Sequence, residues 1–190
     1  MPLIPDTVAS AANFLVSLGW QRGQPWLDEV RLPASMAWEK ADLQTQLPRS
    51  VWAKAGVTKA NGQPLPADEQ PATLLLLMGR NGPAFLAYPN FKVFTEWNQS
   101  LNYATTAAYL ATRIAGAPQM YRGNGVVTPL TYEQIKEMQT LLDRAGFKQA
   151  EIDGKLGYAT RAAVRQAQLK LGMPADGYPS VELMERLRRR

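Results

Sequence analysis

Neither cysteine nor histidine occurs in the 190 residues of this chain. Without cysteine there is no disulfide, no thiolate metal site and no thiol nucleophile, and the redox compartment stays open. Without histidine there is no Ser-His-Asp triad, no imidazole base and no His-based zinc site. Catalysis would have to rest on carboxylate, Lys, Tyr or Ser, and neither a metal nor a cofactor is expected. No apolar run approaches the roughly 20 residues of a membrane helix, so a soluble chain without a transmembrane segment is expected. The opening Met1-Pro2-Leu3-Ile4-Pro5-Asp6 lacks a basic stretch followed by an apolar one. No secretion signal is visible there, which reads as a cytoplasmic protein or a mature segment whose leader is missing.

Charge is sparse as well. The net charge is +5, and Arg188-Arg189-Arg190 supplies much of it. No basic stripe with interleaved aromatics accompanies that run, so it reads as a solvated tail, and no nucleic-acid partner is expected. What is abundant is apolar: 46% of residues are hydrophobic, a globular proportion. The length accommodates one ordinary domain, or a medium domain with a small one.

Asp6 to Leu18 predicts a helix, with Asp6 as cap, Val8, Ala11, Ala12, Leu15 and Leu18 at helical spacing, and Gly19 as the stop. Pro25 to Pro33 partly alternates, as a short strand does. Residues 35–71 are ambiguous: Ser35–Ala41 and Ser50–Ala55 fit a helical turn or two, and Asn61-Gly62 is turn chemistry. Two apolar runs, Pro71–Met78 and Pro83–Tyr88, flank Asn81-Gly82 and predict a β-hairpin. From Ser100 the pattern is helical, with Ser100 or Asn102 as cap and Tyr103, Ala107, Leu110, Ala111 and Ile114 on one face. Residues 116–129 carry the Gly, Pro and Asn content of a linker. Thereafter three helices are expected. The first has a capping box at Thr131 and Gln134 and a staple of Leu130 with Ile135. The second is capped at Gly157 or Thr160, and the third at Ser180. Asp153-Gly154 and Asp176-Gly177 each precede a capped helix, a short internal echo that reads first as turn chemistry.

The chain is organised around Phe85–Leu110, where seven aromatics and four amide side chains gather at a strand-to-helix junction. Aromatic faces beside amide donors and acceptors suit a hydroxyl- and amide-rich ligand such as a sugar polymer. Most of the rings read as core; the Trp97-Asn98 pair is the exception.

Two resemblances follow. Residues 131–187 resemble the peptidoglycan-binding domain of cell-wall hydrolases through Gln139-x-x-Leu142, Gly146-Phe147, Ile152-Asp153-Gly154-x-x-Gly157-x-x-Thr160, Ala163-Val164-x-x-x-Gln168 and Gly172-Met173-Pro174-x-x-Gly177. That family has Phe where Ala167 stands, so a shallower core or groove is expected. Asp153, Gly154, Gly157, Thr160 and Gln168 are its motif positions, with binding in the groove the loops shape. Residues 6–116 resemble the membrane-bound lytic murein transglycosylase B family through Asn13-Phe14-Leu15, Gly19-Trp20, Tyr88-Pro89-Asn90-Phe91 and Trp97-Asn98-Gln99-Ser100-Leu101-Asn102-Tyr103-Ala104. The resemblance implies cleavage of the MurNAc-GlcNAc β-1,4 bond to 1,6-anhydro products by a single glutamate acting as acid and then base. It further implies that Tyr88, Trp97, Asn98 and Tyr103 bind substrate. The family's glutamate motif is upstream of the helix matching Asp6–Leu18 and is not found here, so the chain reads as starting after it, with no catalytic residue of its own. Glu96 stands where the family keeps no acid, and a lone exposed carboxylate lacks the burial that raises a pKa.

The expectation is thus an α+β chain: a partial lysozyme-like transglycosylase domain with a small hairpin sheet at 1–117, a linker at 118–129 and a three-helix peptidoglycan-binding domain at 130–190. Its expected partners are peptidoglycan glycan strands and a missing N-terminal catalytic segment, its place the periplasm or cell envelope. Two alternatives stand beside this: an active wall-cleaving enzyme whose acid comes from another chain or another carboxylate, and a non-enzymatic interaction module.

Overall fold

The computed structural model describes residues 4–148 and 151–189. The chain is α+β, as expected. Helices α1 (Ile4–Ser17), α2 (Arg49–Lys54), α3 (Phe91–Trp97), α4 (Leu101–Ile114), α5 (Tyr132–Arg144), α6 (Tyr158–Lys170) and α7 (Val181–Arg188) accompany five short strands. These are β1 (Leu27–Arg31), β2 (Leu47–Pro48), β3 (Thr58–Lys59), β4 (Pro71–Leu75) and β5 (Ala84–Ala87), in the order β2-β4-β5-β1-β3. β1 runs antiparallel to β3 with Val30 opposite Lys59, and β2 antiparallel to β4 with Leu47 opposite Ala72. The two runs expected as a hairpin are the neighbouring strands β4 and β5. The chain divides into two compact units, Met1–Asp28 with Ala87–Gln119, and Glu29–Leu86 with Met120–Arg190.

In the first unit, α1 starts at Ile4, so Asp6 is in its first turn rather than the cap expected of it; none of its described side chains is buried, and Val8, Phe14 and Val16 are exposed. Helix α4 starts at Ser100, whose hydroxyl accepts from the Tyr103 amide. It inverts the pattern read from its sequence. The stripe of Tyr103, Leu110 and Ile114 is exposed, and the face of Ala104, Thr105 and Ala108 is buried. The reason is close approach: Trp26 Nε1 donates to the Ala108 carbonyl at 3.1 Å, a contact that a bulky side chain on that face would block.

The second unit holds most of the sheet and the three C-terminal helices. Trp52, fully buried on α2, donates its indole N–H to the Ala72 carbonyl at 3.0 Å and so fixes α2 to β4. The ambiguous stretch before it holds one 3-10 turn, Trp38–Lys40. Thr131 and Gln134 make the expected capping box, Ser180 caps α7, and Gly157 precedes α6 without a side-chain cap. Leu130, Met138, Leu142, Val164, Leu183 and Met184 close the three-helix core, and Ala167 is inside it at 0% exposure.

Residues 120–129 have no regular structure, but their backbone is fastened within the second unit. The Tyr121 amide donates to Glu29 Oε1 at 2.6 Å, the Asn124 side chain to the Leu32 carbonyl at 3.2 Å, and the Gly125 amide to the Asn81 carbonyl at 3.1 Å. Burial raises the Glu29 pKa above its usual value, against the lowering effects of the Tyr121 amide and of Arg31. A carboxyl raised on folding contributes stability below its unfolded pKa, and that stability is lost as pH rises through the folded value. Glu29→Gln keeps the acceptor and removes the titration. Its melting temperature relative to the unsubstituted chain is therefore expected to climb as pH rises above the ordinary glutamate value of 4.5; a gap that is flat or narrows in thermal melts would count against this.

Candidate functional site

At the corner between α3 and α4, Trp97 is the last residue of α3 and is 48% exposed. Its ring meets the edge of Phe14 at 5.4 Å between centroids. Asn98 leaves the helix in an extended conformation, and its Oδ1 accepts from the Ser100 amide at 2.8 Å, turning the chain into α4. Tyr103, on the first turn of α4, is 52% exposed. Among the sequence-predicted positions, the fold thus sets Trp97, Asn98 and Tyr103 around one corner. Tyr88 stands apart from them: it is 2% exposed, and its hydroxyl donates to Asp28 Oδ2 at 2.8 Å.

Sequence reasoning passed over Asn90 in this stretch. It is buried, its Nδ2 donates to the carbonyls of Gln21 and Gln24, and its Oδ1 accepts from the Gln21 amide. One amide side chain thereby holds the whole 21–24 turn, which carries Trp20 against Phe94 and Trp26. An Asn just behind Tyr88-Pro89, at the start of a helix, was the available signal. Glu96 pairs loosely with Lys92 at 4.0 Å on the surface. Among the described residues no cluster of Asp and Glu is arranged to hold a metal ion.

The second unit has its own candidate surface, built from the two Asp-Gly turns. Buried Gln139 donates from Nε2 to Asp153 Oδ1, the Lys155 carbonyl and Thr160 Oγ1, and accepts at Oε1 from the Gly154 amide. Buried Gln168 repeats the arrangement one helix later: Nε2 donates to Asp176 Oδ1 and the Tyr178 carbonyl, and Oε1 accepts from the Gly177 amide. Each aspartate also accepts from the amide two residues on, Lys155 or Tyr178. These bonds, with that to the Lys155 amide foremost, hold the Asp153 carboxyl below the usual carboxylate range. Of the named motif positions, Asp153, Gly154 and Thr160 are thus joined through Gln139, Gln168 belongs to the second turn, and Gly157 stands at the N-cap of α6. The second turn edges a cavity of about 400 Å³ lined among others by Arg80, Asn81, Tyr178, Ser180 and Glu182.

Gly154 has φ of +72°, and a Cβ there would collide with the Tyr132 ring. Gly154→Ala is expected to lower stability by about 2 kcal/mol or more, from the left-handed backbone and the clash together. Denaturant unfolding checks this, and a loss under about 0.5 kcal/mol would show that the ring swings away at little cost.

A family profile described as a transglycosylase SLT domain matches residues 3–112, and one described as a peptidoglycan-binding domain matches residues 124–187. Among solved structures, SltB3 from Pseudomonas aeruginosa in complex with NAG-NAM-pentapeptide is 40% identical with a TM-score of 0.84. The same protein in complex with NAG-anhNAM-pentapeptide matches at 40% identity and a TM-score of 0.82. Both matches cover 96% of this chain and 50% of that one, so the chain spans half the length of that relative. No curated protein matches the chain.

Proposed function

This chain belongs to the transglycosylase SLT domain family and carries a peptidoglycan-binding domain, and from that premise we propose that it binds peptidoglycan glycan strands as the C-terminal portion of a membrane-bound B-type lytic transglycosylase. The reaction of the whole enzyme is cleavage of the MurNAc-GlcNAc β-1,4 bond to a 1,6-anhydro end. In this reading residues 1–117 belong to the catalytic domain, 118–129 connect, and 130–190 hold the wall, in the periplasm. The general acid comes from outside these residues.

The observation that carries the reading is the exposed corner of Trp97, Asn98 and Tyr103. Two half-exposed rings on either side of an amide offer stacking faces and hydrogen bonds to sugar hydroxyl and N-acetyl groups. Tyr88, buried just past β5, serves by fixing Asp28 rather than by touching the strand. Two carboxylates could be considered as the acid, and neither is suited to it. Glu96 is on the surface beside Lys92, and Glu29 is engaged by the Tyr121 amide.

The test is to incubate the purified chain with peptidoglycan sacculi, sediment them, and analyse both fractions. Protein in the pellet with no anhydro-muropeptides released is the expected result. Released anhydro ends would replace it with the second reading, an enzyme using another carboxylate, and protein left in the supernatant would overturn wall binding.

A further inference from the structure

The second unit buries two guanidiniums, only one of which is in an ion pair with a carboxylate. Arg161 and Arg165, one turn apart on α6, are 5% and 7% exposed. Arg161 donates to the carbonyls of Leu76 and Leu77, and Arg165 to that of Ala41. Asp42 reaches Arg165 at 3.5 Å, and among the described residues no carboxylate forms an ion pair with Arg161. The Nε atoms of both are buried without a partner. Burial drives the Arg161 pKa down to about 10. A buried charge ordinarily has a counter-charge, and here Asp42 pairs with Arg165 while Asp176 acts on Arg161 without forming an ion pair with it.

Beside them is a cavity of about 290 Å³, lined among others by Asp42, Gln44, Tyr158, Arg161 and Arg165. The first turn of α6 borders it, and that turn has no side-chain cap, so its amides and the positive end of the helix dipole add to the same field. The guanidinium hydrogens not used on those carbonyls, with a tyrosine and a glutamine beside them, suit a small carboxylate, which a guanidinium holds by charge-assisted hydrogen bonds. The volume is at the small end of ligand pockets, which begin at roughly 300 Å³, and admits one or two amino-acid residues.

We propose that this cavity binds a carboxylate of the peptidoglycan stem peptide. The inference rests on the wall-binding reading, and it gives the second unit a peptide specificity that a sugar-stacking corner does not supply. Arg161 and Arg165 also fasten α6 to the carbonyls of residues 41, 76 and 77, so their replacement risks the fold. Gln44→Glu avoids that risk. It places a carboxylate of the chain's own at the rim, where it competes for the same guanidiniums.

The experiment is calorimetric titration of the full chain with the free pentapeptide stem and with its C-terminal amide, beside the sacculus sedimentation. The pentapeptide is expected to bind, and Gln44→Glu to weaken it about tenfold or more. Loss of binding on amidation assigns the terminal carboxylate, and binding kept on amidation assigns a carboxylate along the stem; both support the proposal. Equal affinity in Gln44→Glu, or no titration by a chain that sediments with sacculi, overturns the proposal and leaves wall binding standing. A chain that binds the peptide but stays in the supernatant keeps the pocket and loses the wall reading.

Discussion

Gln139→Leu is expected to unfold the three C-terminal helices at a far lower denaturant concentration than the unsubstituted chain, with a loss of about 3 to 5 kcal/mol. Leucine matches the volume but removes the amide's hydrogen bonds to Asp153, Lys155, Thr160 and Gly154. The Gly154 amide and Thr160 hydroxyl are then left without these partners in a site that water reaches poorly, and each such group costs about 1 to 3 kcal/mol. The gain in apolar burial does not offset this, because the polar partners remain. Gln139→Glu separates the two contributions: it keeps an acceptor for Gly154 and sets a second carboxylate against Asp153. Circular dichroism during denaturant unfolding is the measurement, and a loss below about 1 kcal/mol would show that the Asp153-Gly154 turn holds itself.

The internal echo of two Asp-Gly turns was legible in the sequence, and so were the caps at Thr131 and Ser180, because those signals are local. The residue that makes the echo a repeat was legible in part. Gln139-x-x-Leu142 and Gln168-x-x-Leu171 have the same spacing, yet a glutamine in an amphipathic helix ordinarily faces water, and nothing local says that these two point inward. Their partners are 14 to 21 and 8 to 10 residues away across a turn, so the pairing exists only once the helices pack.

Three further features were hidden for related reasons. Periodicity marks the larger apolar residues of α4, whereas the fold buries the small side because Trp26 comes within hydrogen-bond reach of the Ala108 carbonyl. Asn90 looks like a ligand donor among aromatics until its three bonds to Gln21 and Gln24 are counted. Arg161 and Arg165 read as the polar face of α6, and only the loops at residues 41 and 76–77, some 84 to 124 positions away, turn that face into an interior. Apolar helix faces, caps and glycine turns are encoded within a few residues; buried polar clamps are encoded by distant main-chain carbonyls that no side-chain pattern records.

The corner at Trp97 gives the sharpest division between binding and folding. Trp97→Ala is expected to weaken a soluble disaccharide-pentapeptide fragment by about tenfold or more, since an exposed aromatic anchor that stacks on a ligand contributes about 2 kcal/mol. Stability should change by only about 1 kcal/mol, the loss of one edge-to-face contact with Phe14 from a half-exposed ring. Trp97→Phe keeps a ring at the same place and should recover part of the affinity. Of the five tryptophans, Trp97 alone is an exposed one, so quenching of intrinsic fluorescence on titration reads this site directly. Quenching in the unsubstituted chain that disappears in Trp97→Ala, with thermal melts nearly superimposed, places the ligand on the indole face. Unchanged affinity in Trp97→Ala would move glycan recognition to the helical unit and leave the aromatic corner a structural hinge between α3 and α4.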